Sequence, residues 1–147
     1  MARMPTPVTV VAALGPGGPS GATANAVTSL SLDPPLMLAC LDRGSRTLAV
    51  VEATGRFAIN VLGAGQAELA HRFSRKDPHP EKWAGVDWEE LEGLPRIAGA
   101  PVWAACALRD GHDGGDHVIL TGVAMAVEAT KGDPLVFHEG GYRPLGG

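Results

Sequence analysis

Residues 23–32 alternate with period 2, and an extended chain sorts them into two faces. Ala24, Ala26, Thr28, Leu30 and Leu32 share one face, mostly small and apolar. Thr23, Asn25, Val27, Ser29 and Ser31 share the other, mostly short and polar. A merely solvated face usually carries Lys and Glu. A row of short hydroxyls and an amide can instead hydrogen-bond a flat polar ligand that approaches the backbone closely. A Ser/Thr-rich sheet edge fits the same periodicity, so both readings stand at this point. Pro34-Pro35 ends the stretch, because neither proline can donate to a ladder. Across the 147 residues, 20 glycines and 12 prolines demand many tight turns and argue against a helical bundle.

The rest of the chain reads as short strands with two short helices. Residues 8–14 are rich in β-branched side chains and predict a first strand, followed by a Gly/Pro turn over 15–21. Residues 36–41 are apolar on both faces and predict a central buried strand. Ser45 is a candidate N-cap for a helix from Thr47 to about Ala53, with Gly55 as its stop. Residues 57–62 predict a strand. Residues 66–73 predict a helix with Leu69 and Phe73 on one face. Residues 74–82 read as a polar loop holding Pro78 and Pro80, and 89–101 as an irregular surface segment. Residues 102–109 and 117–127 predict two long strands joined as a hairpin through the glycine-rich connection 110–116. Residues 135–138 predict a last strand. Seven or so strands favour a closed or partly open antiparallel barrel over a βαβ sheet, and a sandwich has the same composition.

The length suits a single domain, 1–147, with one core. A net charge of −4 does not suggest a nucleic-acid surface. Cys40 and Cys106 sit in apolar runs without a C-x-x-C spacing, which reads as reduced thiols in a cytoplasmic protein. No apolar run approaches a membrane span, and Pro5 and Pro7 interrupt the start, so no signal peptide is expected.

Two local features carry chemistry. A helix N-terminus beside Ser45, Arg46 and Thr47 offers free N–H groups and a positive dipole end, a small phosphate site. An ordinary capped helix with a solvent-facing arginine has the same sequence. His112, Asp113, Asp116 and His117 fall within six residues and could ligate a metal, but they meet no recognised ligand spacing. Asp and Gly are also what a solvated turn prefers, so no metal is expected. There is no G-x-S-x-G, no paired catalytic carboxylate and no complete G-x-G-x-x-G after a strand.

The ordered set Thr23-Ala24-Asn25, Ser29-Leu30-Ser31-Leu32-Asp33-Pro34-Pro35, Arg43-Gly44-Ser45-Arg46-Thr47, residues 55–62, Gly115-Asp116-His117 and Gly140-Gly141-Tyr142-Arg143 resembles the flavin reductase family. These are the reductase components of two-component flavin-dependent monooxygenases. The resemblance runs over nearly the whole chain. It implies a mainly β fold, a split β-barrel with a Greek-key core (an FMN-binding split barrel). It implies an NAD(P)H:flavin oxidoreductase that transfers hydride from nicotinamide C4 to flavin N5, using NADH or NADPH and FMN or FAD. It further implies a homodimer and a separate monooxygenase that receives reduced flavin, with no nucleic-acid or membrane partner. By the same resemblance Thr23, Ala24, Asn25, Ser29, Ser31, Leu32 and Asp33 line the flavin, with backbone near Cys40. Ser45, Arg46 and Thr47 hold its phosphate, and Phe73 lies nearby. Gly115, Asp116 and the catalytic His117 serve the nicotinamide. Tyr142 is either on the nicotinamide side or a core or interface aromatic. Relatives usually carry an N-terminal helix where only residues 1–7 precede Val8 here, which points to a truncated chain or a differently built dimer. Asn25 stands where many relatives have serine. Two other classes remain open: a non-catalytic FMN-binding module, and a metal-binding protein using the His112–His117 cluster.

Overall fold

The computed structural model describes residues 2–76 and 79–146. Within them lie β1 (Thr6–Pro7), β2 (Thr9–Gly15), β3 (Gly18–Ala24), β4 (Val27–Leu32), β5 (Pro35–Asp42), α1 (Arg46–Thr54) and β6 (Arg56–Val61). Then come α2 (Ala67–Ser74), α3 (His79–Trp83), β7 (Trp88–Leu91), β8 (Leu94–Ile97), β9 (Val102–Gly114), β10 (His117–Ala129), β11 (Leu135–His138) and β12 (Gly141–Pro144).

Seven strands form one antiparallel sheet in the order β3-β2-β6-β9-β10-β5-β4. β3 and β4 follow each other in the chain yet occupy the two edges. Asn25 and Ala26 carry the chain from one edge to the other, and the Cys40 N–H donates to Ala26 O at 2.9 Å. The sheet thereby curls into a split β-barrel, which leaves fewer unpaired edge groups than an open sheet.

The strand expected over 23–32 is therefore two strands meeting at a corner. A bulge between Ser29 and Ser31 breaks the alternation again. Val27 packs toward the core, while Leu30 and Leu32 face solvent.

β2 is buried on both faces, in keeping with its Val/Ala content, as are the middle of β6 and the start of β9. Val11 and Ala13 join one cluster with Leu41, Leu48, Val51, Phe57 and Ile59 inside the barrel. Val8, just ahead of β2, joins Val10 and Ala12 in a second cluster with Ala70, Phe73 and Trp83. β5, expected to be central, is next to the edge: only Ala39 and Leu41 are buried, and Leu36, Met37, Leu38 and Cys40 are half-buried.

Residues 88–97 form a hairpin rather than an irregular segment. Buried Asn60 donates to Pro95 O at 3.3 Å and accepts from the Ile97 N–H at 2.8 Å, and the Trp103 indole N–H also donates to Pro95 O, at 3.1 Å. Of the loop expected over 74–82, Asp77 and Pro78 lie outside the described residues, and 79–83 are helical. The connection expected over 110–116 is shorter, since β9 runs to Gly114 and leaves only Gly115 and Asp116 as the turn.

Candidate functional site

A cleft of about 660 Å³ opens where the β3–β4 corner meets the β5–α1 loop, the end of α2 and the start of β10. That is the size of a small-molecule site. Its floor is small: Ala22, Ala24 and Ala26 line it, so a flat ligand can lie close to the backbone. The Thr23 hydroxyl donates to Ala70 O at 2.7 Å, which ties β3 to α2 and leaves the oxygen to accept. Phe73 supplies an apolar wall, held edge-on against Trp83 with ring centroids 4.8 Å apart.

One end of the cleft is built for an anion. Ser45 has extended backbone angles, and its side chain accepts from the Leu48 N–H at 3.3 Å, capping α1. The helix stops at Gly55, in the left-handed conformation. First-turn N–H groups such as those of Arg46 and Thr47 have no intrahelical partner and point outward with the positive end of the dipole. Arg46 is exposed at the cleft, while Thr47 is buried with its hydroxyl 3.5 Å from that of Ser20. Arg75, Lys76 and Lys82 line the same space, and Lys82 is only 5% exposed. Asp42 is the one carboxylate among the described lining residues, so the cleft carries a surplus of positive charge.

His117, the first residue of β10, lines the same cleft, opposite Asp42 of β5. The turn before it places Gly115 at φ 77°, where two-residue hairpins favour glycine. His117 Nδ1 lies 2.7 Å from an Asp116 carboxylate oxygen, and this contact holds the Asp116 carboxyl below its ordinary pKa. The Gly115 N–H and then Arg43 do the same for Asp113. Burial pushes the Cys40 thiol up, and takes that of Cys106 to about 12.

The fold thus brings Thr23, Ala24, Asn25, Cys40, Ser45, Arg46, Thr47, Phe73 and His117 into one cleft. Ser29, Ser31, Leu32 and Asp33 do not line it, because the corner carries β4 away along the far edge. Gly115 and Asp116 form the turn behind His117. Tyr142 packs edge-on to His71, with centroids 4.7 Å apart, and near Phe137, away from the cleft. The sequence reading did not place Ala22, Leu41, Asp42 or Lys82 in the site. The only prior sign of Lys82 was the cluster of cations over 75–82. Among the described residues no three His, Cys, Asp or Glu side chains converge to hold a metal.

This barrel and its cleft define a class: small split-barrel proteins with an open, positively charged cleft beside a helix N-terminus. A model of the flavin reductase like domain matches residues 1–146, and the chain belongs to the flavin reductase family. It is 38% identical over 141 residues to the reductase subunit HsaB of a flavin-dependent monooxygenase from Mycobacterium tuberculosis, covering 93% of this chain and 74% of that protein. It is 42% identical over 139 residues to a probable flavin reductase of Rhizobium meliloti, again over 93% of this chain but spanning only 44% of that protein. The structure of the NADH:FAD oxidoreductase SgcE6 of Streptomyces globisporus in complex with NAD and FAD fragments superposes with a TM-score of 0.90 at 36% identity. That match covers 97% of this chain and 86% of that one.

The residues present fit a flavin. Small side chains floor the cleft, an aromatic walls it, and a capped helix N-terminus with nearby cations closes one end.

Proposed function

We propose that this chain oxidises NADH or NADPH and reduces FMN or FAD in this cleft, releasing reduced flavin to a separate flavin-dependent monooxygenase. A bound flavin supplies the hydride acceptor, N5, for the nicotinamide C4. The protein supplies position and electrostatics. Arg46 and the first N–H groups of α1 hold the phosphate, and the alanine floor lets the ring lie against β3. Asn25 offers an amide at the corner, and Phe73 excludes water from one side. His117 has Nδ1 engaged by Asp116, which leaves Nε2 to orient the nicotinamide. The observation that carries this reading is the meeting of His117 with the α1 N-terminus in one cleft, although they belong to distant parts of the sequence.

Residues 1–147 act as one domain of a cytoplasmic homodimer, a setting that suits the two free cysteines. The exposed apolar side chains Leu30, Leu32, Met125 and Val127 lie on β4 and β10, the two neighbours of β5, and supply the dimer surface. No described helix is long and apolar enough to cross a membrane.

His117→Ala tests the assignment. It should lower kcat/KM for NADH at least about tenfold while flavin affinity stays within about twofold. Equal loss of both would remove the nicotinamide role. Flavin binding without any NADH oxidation in the unmutated protein would leave a binding module.

A further inference from the structure

The turn ahead of His117 stands in solvent, with residues 111–116 all exposed. The β5–α1 loop braces it through one residue, Arg43. The backbone N–H of Arg43 donates to Asp116 O at 3.0 Å. Its guanidinium Nε donates to Gly115 O at 2.7 Å, and its Nη2 forms an ion pair with Asp113. Asp113 in turn accepts from the Gly115 N–H at 3.1 Å. Asp116 then engages the His117 ring. Arg43 also lies two residues before Ser45, the cap of α1.

As an exposed pair this contributes little stability: the Arg43 and Asp113 side chains are 50% and 82% exposed. Its consequence is geometric. A planar guanidinium that bonds both the Gly115 carbonyl of the turn and the Asp113 carboxylate at the end of β9 fixes the direction of that turn as a lysine ammonium would not.

We propose that Arg43 is a positioning residue, pinning the Gly115–Asp116 turn to the loop that starts α1 and so setting His117 relative to the anion end of the cleft. This rests on the nicotinamide role of His117 proposed above. The Arg43 charge is turned toward Asp113 and Gly115, so Arg46 and the helix N-terminus, not Arg43, meet the flavin phosphate.

The test is a double-mutant cycle on kcat/KM for NADH, with flavin affinity measured beside it. Arg43→Ala should lower kcat/KM roughly tenfold in the unmutated background and by less than about twofold in His117→Ala, with flavin affinity little changed in both. Arg43→Lys should restore only part of the loss. Asp113→Asn, at an exposed position, should move kcat/KM in the same direction, and it carries the cycle if Arg43→Ala does not fold. Equal losses in both backgrounds would overturn the proposal, since Arg43 would then act by itself. No loss from Arg43→Ala, alongside a clear loss from His117→Ala, would overturn it and leave His117 in place. No loss from His117→Ala would refute the underlying assignment, and this proposal with it.

Discussion

Arg43, in the β5–α1 loop, and Arg46, the first residue of α1, lie three positions apart and face different groups. Arg43 is turned toward the Asp113–Asp116 turn, whereas Arg46 is the second residue of the Ser45-Arg46-Thr47 cradle and has no ion pair among the described residues. Arg46→Ala should therefore weaken FMN about tenfold, the loss of one charge-assisted hydrogen bond. Riboflavin, which lacks the phosphate, should bind as before. Fluorescence titration with both ligands reads the difference, and an unchanged FMN affinity would remove the phosphate role. The residues legible in the sequence were those whose job is local. Ser45 caps from three residues away, and Gly115 serves a turn of two residues. Lys82 was not legible as a lining residue. Its burial comes from where α3 packs, and α3 touches β3, far off in sequence. The two Thr/Ser-rich halves of the organising stretch also parted: Thr23 reached the cleft, and Ser29 and Ser31 did not.

The elements show the same division between local and distant causes. α1 has its cap and its left-handed stop written at its ends, and both were placed from those residues. The β3–β4 corner has no such mark, because small and polar residues keep alternating straight through Asn25 and Ala26. The hairpin of β7 and β8 was missed for a different reason. Leu94 is buried with Ala58 of β6 and Trp103 of β9, and Ile97 with Val8, Val10 and Phe73, so the strands are held by packing that nothing in their own residues marks. β10 makes a test at this scale. At Gly122, beside a bulge against β9, an added Cβ would meet the Phe57 ring at 2.7 Å and the Cys106 Cβ at 2.9 Å. Both neighbours are fully buried, so Gly122→Ala should destabilise the fold by about 1–3 kcal/mol through overpacking. Chemical denaturation should show a lower midpoint with an unchanged slope. An unshifted midpoint would mean that this contact is looser than the geometry states.

At the scale of the molecule, the barrel leaves one face of β4, β5 and β10 more apolar than water favours. Leu32 is 94% exposed and lies opposite Pro35, while Leu36 of the same strand lies opposite Val123 of β10, so these side chains gather toward one end of the sheet. In the proposed dimer a second copy covers this face, and with it the outer side of β5, which lies next to the sheet edge rather than at its centre. Leu32→Asp should raise the dimer dissociation constant roughly tenfold or more in sedimentation experiments, as expected for a charge placed in an apolar interface. An unchanged association state would move the interface elsewhere. The barrel itself was legible from strand number and turn density together with the ordered motifs, whereas its closure through two residues was not.

The central claim is that the cleft couples a nicotinamide to a flavin that comes and goes. Steady-state oxidation of NADH and NADPH, followed by the loss of nicotinamide absorbance with FMN, FAD or no flavin added, tests it most directly. Turnover that depends on added flavin, saturates with it and exceeds one flavin per chain is the predicted result. A protein that binds flavin yet leaves both nicotinamides unoxidised at every flavin concentration would contradict it.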